Sequence, residues 1–289
     1  MDLSSFQITL ISLEILALAF GGMLLGRSFN LPGFKPTGSW QGRLVYWPVE
    51  GFDIALLIVL IFLLGIVSQV MMVGILGETI KASVDRKGLE VAVYGFAEKG
   101  GGLLGWPVFY LIRRRLFSSF CTPPPASTTP PPILPSWTQA LRGGCLTLLT
   151  ALPLVYIVGF GWHALLSLLG LPSEPQELIT IFNDTRSPYV IAGMMVVACI
   201  LAPLNEEILF RRVLFHFLRQ RFGRLIALSV SACLFALLHR SLAGFLPLAT
   251  FGLMLALAYE RTGDIRVPMI AHGLFNLNTI IALLAGLSA

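Results

Sequence analysis

Long apolar runs separated by short charged or proline-rich stretches make up most of this 289-residue chain. A run of about 20 apolar residues is long enough for a helix to cross the hydrocarbon core of a bilayer. The runs that reach or approach this length are residues 8–25, 52–76, 141–169, 188–210, 225–239, 242–259 and 267–287. The pattern predicts an all-α, polytopic integral membrane protein with about seven transmembrane helices.

A shorter apolar segment, residues 103–112, lies in the charged stretch that follows the second run. A helix of that length rises only about 15 Å, roughly half of the hydrocarbon thickness. We therefore expect an interfacial helix at this segment, and an eighth span is the alternative. The acidic loop between the runs that begin at residues 141 and 188 predicts a short amphipathic helix.

Residues 121–136 form a proline-rich stretch with little apolar surface to bury. Such a composition is typical of an extended, solvated linker. It divides the chain into three predicted parts: an N-terminal region with two spans and an interfacial segment, a linker, and a five-helix core. Their predicted boundaries are residues 1–115, 116–140 and 141–289.

The composition supports a membrane protein and weighs against a nucleic-acid-binding one. The chain is 56% hydrophobic and 12% charged, whereas an ordinary soluble domain is about 25% charged. Its net charge of +5 fits the excess of Lys and Arg that membrane proteins carry in their cytoplasmic loops. We expect lipid surroundings, no nucleic-acid partner and a location in a bacterial cytoplasmic membrane. The oligomeric state stays open.

Two adjacent carboxylates, Glu206 and Glu207, lie near the end of the apolar run 188–210. Ionised side chains at membrane depth are costly and usually face a protein interior or a wet cavity. On a helix, Glu207 and Arg211 share one face and can form an ion pair. Glu206 is rotated about 100° away and is left free for chemistry. Pro203 predicts a bend at residues 202–204, with a tilted helix after it.

The later apolar runs carry two histidines with polar or aromatic company. His239 follows Phe235 by one helical turn, and His272 precedes Asn276 by one turn. Together with Glu206, they can activate a water and stabilise an oxyanion. Glu206, His239 and His272 can equally hold a zinc ion with one open position. The residues alone leave both interpretations open, so the predicted cofactor is either none or zinc.

The ordered set Glu206-Glu207-x-x-x-Arg211, Phe235-x-x-x-His239 and His272-x-x-x-Asn276 resembles the motifs of the CPBP family. This family of intramembrane proteases includes type II CaaX prenyl endopeptidases and bacteriocin-processing or immunity proteins. The resemblance covers about residues 173–287.

This resemblance implies an intramembrane endopeptidase that cleaves a membrane-associated protein or peptide, with a CaaX-type prenylated protein as one candidate substrate. It implies Glu206 as general base, His239 as its partner on the water, and His272 with Asn276 as the oxyanion-stabilising pair. The residues expected to support the site structurally are Glu207, Arg211 and Phe235.

The sequence leaves two alternatives to a metal-free protease. One is the same hydrolase with zinc held by Glu206, His239 and His272. The other is a non-catalytic membrane protein, such as an immunity factor, a scaffold or a transporter, in which the charges only hold helices together. The sequence has no visible internal repeat, which weakens a transporter built on inverted repeats.

Overall fold

The computed structural model describes residues 4–30, 50–116, 136–172 and 177–287. These residues are helical almost throughout and contain no strand. The helices outside the central segment are α1 (Ser5–Asn30), α2 (Gly51–Ala82), α3 (Arg86–Leu116), α4 (Trp137–Leu168), α5 (Glu177–Asp184), α9 (Leu242–Thr262) and α10 (Arg266–Leu284). The short helix expected in the acidic loop is α5, whereas the proline-rich stretch lies almost wholly outside the described residues.

The central segment, Pro188 to Leu238, is helical except at Gly223 and changes form along its length. Its parts are α6 (Pro188–Val196), a first π-helical segment (Val197–Leu201), α7 (Ala202–Glu207), a second π-helical segment (Ile208–Phe215) and α8 (His216–Leu238). π-Helical turns are rare and occur often at functional sites. Both π segments adjoin α7, which carries the two adjacent carboxylates.

Six helices of the described residues are long and apolar enough to cross a membrane. They are Ser5–Leu25, Gly51–Ala82, Trp137–Leu168, Pro188–Leu238, Leu242–Thr262 and Arg266–Leu284. The predicted all-α, polytopic membrane fold is therefore confirmed. Two of the seven predicted spans fall within Pro188–Leu238, and Gly223 separates them with φ 83° and ψ −180°. Only glycine adopts this backbone conformation readily.

The predicted short helix at residues 103–112 is the second half of the much longer α3, which packs along α2. Glycines permit this close packing, because a Cβ at Gly101 would lie 2.5 Å from the Leu64 carbonyl oxygen. An ion pair of 3.3 Å between Arg113 and Asp53 joins the two helices near the end of α3. The first part of α3 also contacts α6, α7 and the first π-helical segment.

The backbone stays helical through residues 202–204, where Pro203 predicts a bend, so there is no break at this point. Leu201 and Ala202 keep right-handed helical dihedrals, with φ near −69° and −64°. The first π-helical segment ends at Leu201, two residues before Pro203, so the helix accommodates the proline by a change of hydrogen-bond register. The interruption occurs further along the chain, at Gly223.

Helix α1 joins the rest of the molecule through α4 and α10. A Cβ on Gly21 would overlap the Leu149 carbonyl, so the two backbones of α1 and α4 meet in direct contact. Glu14 accepts hydrogen bonds from the Tyr156 hydroxyl at 2.5 Å and from the Asn278 amide at 3.2 Å. These bonds give the only carboxylate of α1 a structural role at the junction of three helices.

Candidate active site

Glu207 lies at the end of α7 and is completely buried. Its Oε2 is 3.1 Å from Arg211 Nε, so the predicted ion pair is present. Arg211 also donates to the Gly252 carbonyl oxygen at 3.0 Å, and its guanidinium lies 4.6 Å from the centre of the Phe235 ring. One hydrogen bond, an opposite charge and a ring face together offset part of the cost of burying the guanidinium, whose Nε and Nη1 have no hydrogen-bond partner among the described residues.

His272 is held by the same carboxylate. Its Nδ1–H donates to Glu207 Oε1 at 2.8 Å, and its ring meets the edges or faces of Phe235 and Phe251. Because Nδ1 carries the hydrogen that is donated in this bond, Nε2 of the neutral ring has the lone pair. The i,i+4 spacing predicted the bond of Glu207 to Arg211. It gave no signal for the bond to His272, 65 residues away.

Glu206 is the carboxylate that lacks a close partner. Its Oε2 is buried without a hydrogen-bond partner among the described side chains and backbone, and lies 4.0 Å from His272 Nε2. Two acceptors at this separation can share one water, with each contact roughly 2.8 Å long. The other oxygen, Oε1, is 4.0 Å from Lys99 Nζ of α3.

Asn276 lies one turn after His272 on α10, and its Nδ2 donates to the Ala198 carbonyl oxygen at 2.7 Å. In the first π-helical segment, the Ala202 N–H donates to the Val197 carbonyl. The next donor in this register belongs to Pro203, which has no N–H. The Ala198 carbonyl therefore needs a donor from elsewhere, and Asn276 supplies it.

His239 lies at the C-terminal end of α8 and is half-buried. Its Nδ1–H donates to the Phe235 carbonyl at 2.9 Å, which leaves Nε2 as the nitrogen open to a ligand. The Phe235 ring contacts the rings of both His239 and His272, with centres 4.9 and 5.5 Å apart. Among the described residues, no hydrogen bond or ion pair joins His239 to Glu206 directly.

Two residues that sequence analysis did not select also border Glu206. Lys99 comes from α3, and Asn205 immediately precedes Glu206 and is buried. The Asn205 amide donates to the Lys99 carbonyl oxygen, across 106 positions of sequence. The glycine run at residues 100–102 was the only signal in the sequence, since it indicates a close backbone approach at that point.

The described side chains do not fit the zinc set that the sequence left open. No group of three or more His, Cys, Asp or Glu side chains in these parts of the chain is arranged to hold a metal ion. The Phe235 ring lies between the rings of His239 and His272, with centres 4.9 and 5.5 Å from theirs. The arrangement resembles a carboxylate–imidazole pair facing a second carboxylate.

Comparisons with known proteins found curated relatives and a family match. Two curated relatives are each 33% identical, the first over 144 residues and the second over 88. The first is the "Uncharacterized 24.3 kDa protein" of Escherichia coli, with 48% of this chain and 64% of that protein aligned. The second is the "Putative membrane peptidase YdiL" of Bacillus subtilis (strain 168), with 30% of this chain and 36% of that protein aligned. The chain thus spans less than two thirds of either relative. No solved structure matches.

A family model gives the most direct link. Residues 188–278 match the family described as type II CAAX prenyl endopeptidase, Rce1-like. The matched residues include Glu206, Glu207, His239, His272 and Asn276, whereas Lys99 lies outside them. The predicted resemblance of this integral membrane protein to the type II CaaX endopeptidases is therefore confirmed over residues 188–278.

Proposed function

We propose that this protein is an intramembrane endopeptidase in which Glu206 is the general base. The observation that carries this proposal is the buried, unpartnered Oε2 of Glu206, 4.0 Å from His272 Nε2. Burying a carboxylate oxygen without a direct partner is costly, so such a group at membrane depth is best explained by chemistry. Water between the two side chains supplies that chemistry.

The reaction follows from the two acceptors that flank the water. The water donates one hydrogen to Glu206 Oε2 and the other to His272 Nε2, and its oxygen lone pair faces the substrate carbonyl carbon. As the new O–C bond forms, Glu206 takes the first proton and the carbonyl oxygen becomes an oxyanion. Glu206 then passes the proton to the leaving nitrogen as the C–N bond breaks, which releases an amine and a carboxylic acid.

Glu207 and Arg211 act on this reaction through His272. The bond from His272 Nδ1–H to Glu207 fixes the tautomer that presents Nε2 to the water. Arg211 keeps the Glu207 carboxylate in place at 3.1 Å. We assign both to positioning, in agreement with the structural role expected for them.

His239 and Asn276 are assigned to the oxyanion. One hydrogen of the Asn276 amide is engaged by the Ala198 carbonyl, and the second remains for a substrate. The Phe235 carbonyl holds His239 through Nδ1, which leaves Nε2 for the substrate; Nε2 would donate to the oxyanion when it carries a hydrogen. This assignment exchanges the two histidines relative to the roles that the resemblance implied, because His272 Nε2 lies 4.0 Å from Glu206 Oε2.

The proposed substrate is a CaaX-type prenylated protein or peptide in a bacterial cytoplasmic membrane. The test uses purified protein in proteoliposomes and an internally quenched, farnesylated CaaX peptide, with the unfarnesylated peptide as control. We expect the wild-type protein to cleave the farnesylated peptide and Glu206→Gln to leave it intact. Cleavage that does not depend on the farnesyl group would contradict the prenylated substrate class.

A second experiment addresses other membrane substrates and the non-catalytic alternative. Membranes that carry wild-type or Glu206→Gln protein are compared by quantitative proteomics. A protease predicts at least one polypeptide that stays uncut only with the variant. If no cleavage product differs and the CaaX peptide also survives the wild-type protein, an immunity, scaffold or transport function is favoured.

A further inference from the structure

We infer that Lys99, on α3, is a positioning residue of the active site that orients the Glu206 carboxylate towards the water. Lys99 lies outside residues 188–278, the part of the chain that matches the protease family. The inference rests on the proposed function, and it assigns a part in the reaction to an N-terminal helix.

The two oxygens of Glu206 face different groups. Oε1 lies 4.0 Å from Lys99 Nζ, and Oε2 lies 4.0 Å from His272 Nε2. A carboxylate without fixed partners rotates freely about its terminal bond. The attraction between Oε1 and the ammonium is stronger at this partly buried position than in water. It therefore selects the orientation in which Oε2 faces His272.

The backbone around Lys99 is held in place independently of its charge. The Asn205 amide donates to the Lys99 carbonyl oxygen, so the chain at residue 99 is tied to the residue that precedes Glu206. A Cβ at Gly102 would lie 3.5 Å from the Asn205 amide, which indicates ordinary contact between the two helices there. The Cα and Cβ atoms of Lys99 are therefore fixed relative to Glu206.

The Lys99 ammonium also forms an ion pair with Glu98. Glu98 Oε1 lies 3.1 Å from Lys99 Nζ, and its side chain is 47% exposed, compared with 29% for Lys99 and 18% for Glu206. The ammonium thus lies between an outer carboxylate and the buried one. An ammonium has three donors, so the bond to Glu98 leaves two for Glu206 or an intervening water.

The kinetic test compares Lys99→Met and Lys99→Arg in proteoliposomes with the farnesylated peptide. Methionine removes the charge and keeps most of the length, so we expect kcat to fall by about 10- to 100-fold, with KM within about twofold of the wild-type value. Arginine should restore most of kcat, because it supplies a cation at a similar reach. The matched control is Lys81→Met, which removes a lysine paired with Glu78 at 2.9 Å on α2.

Three kinetic outcomes would overturn the inference. These are a kcat for Lys99→Met within about twofold of the wild type, an arginine variant as slow as the methionine variant, and an equal loss in Lys81→Met. A merely structural lysine would lower the amount of folded protein, which is measured in parallel and used to normalise kcat.

A chemical test needs no activity at all. A water-soluble carbodiimide joins a lysine amine to a carboxylate as an amide, with loss of water, when the two groups can meet. We expect mass spectrometry to find residues 99 and 206 linked in the wild-type protein, and unlinked in Lys99→Arg and Glu206→Gln. Absence of the link in the wild type would overturn the inference. A wild-type protein that cleaves no peptide would contradict the proposed function, while the link would still decide the placement of Lys99.

Discussion

Two carboxylates between helices, Glu206 and Glu260, have opposite surroundings. Both oxygens of Glu260 accept hydrogen bonds from Arg224 Nε, at 3.1 and 2.9 Å, and Arg219 Nε is 3.3 Å away. The basic side chains of the described residues that are nearest to Glu206, Lys99 and His272, each lie 4.0 Å from one of its oxygens. Glu260 is fully buried and satisfied, whereas Glu206 is partly exposed and unsatisfied. The contrast separates a carboxylate that holds the fold together from one that is available to react.

The Glu260 cluster explains how α8 is held at its interruption. Arg219 precedes Gly223 and Arg224 follows it, and both arginines bind the same carboxylate on α9. The two parts of α8 are thus fastened to a single point. His239 directly follows the second part of α8. By holding this part of the helix, the cluster helps to position a proposed catalytic side chain.

Exchange of the reactive carboxylate should have the largest effect on activity and almost none on folding. In Glu206→Gln the side chain keeps its shape but cannot accept the proton, so kcat should fall by about 10²- to 10⁴-fold. The thermal unfolding temperature in detergent should equal that of the wild type. Glu78→Gln, on an exposed turn of α2, is the control. Full activity in Glu206→Gln would show that Glu206 is not the reactive carboxylate.

Removal of Arg211 should have the largest effect on stability. Arg211→Gln leaves the completely buried Glu207 without its cation. The expected loss is roughly 3–5 kcal/mol in the free energy of unfolding. It would appear as a lower yield of folded protein and a lower unfolding temperature. An Arg211→Gln protein as stable as the wild type would show that His272 alone can compensate Glu207.

The sequence predicted the site best where its residues share one helix. The Glu207–Arg211 pair and the common face of His272 and Asn276 follow from helical spacing, and both are found. The bonds from His272 to Glu207 and from Asn205 to Lys99 join different helices, and spacing carries no information about them. Helical spacing also gave no signal for the π-helical turns on either side of the helix that carries Pro203, because they depend on backbone hydrogen-bond register and not on side-chain periodicity.

Loss of the Glu260 charge should destabilise the protein by less than loss of Arg211. In Glu260→Gln, the two arginines lose their anion but can turn to solvent, since their side chains are 25% and 37% exposed. We expect a loss of about 2–3 kcal/mol, below that of a fully buried pair. The matched control is Glu90→Gln, which breaks the exposed pair with Arg86 and should cost at most about 1 kcal/mol. Equal losses in the two variants would contradict a structural role for Glu260.

The smallest expected effect is that of a methyl group at the interruption itself. Nothing lies within 4 Å of a Cβ built on Gly223, so Gly223→Ala tests the backbone conformation alone. At φ 83° and ψ −180°, alanine should cost about 1–3 kcal/mol. Because the second part of α8 carries His239, we also expect kcat to fall while Glu206, Lys99 and His272 keep their geometry. The carbodiimide link between residues 99 and 206 measures that geometry directly. If Gly223→Ala also removed the link, the interruption and the carboxylate site would form one cooperative unit, and the separation of folding and reactive carboxylates would fail.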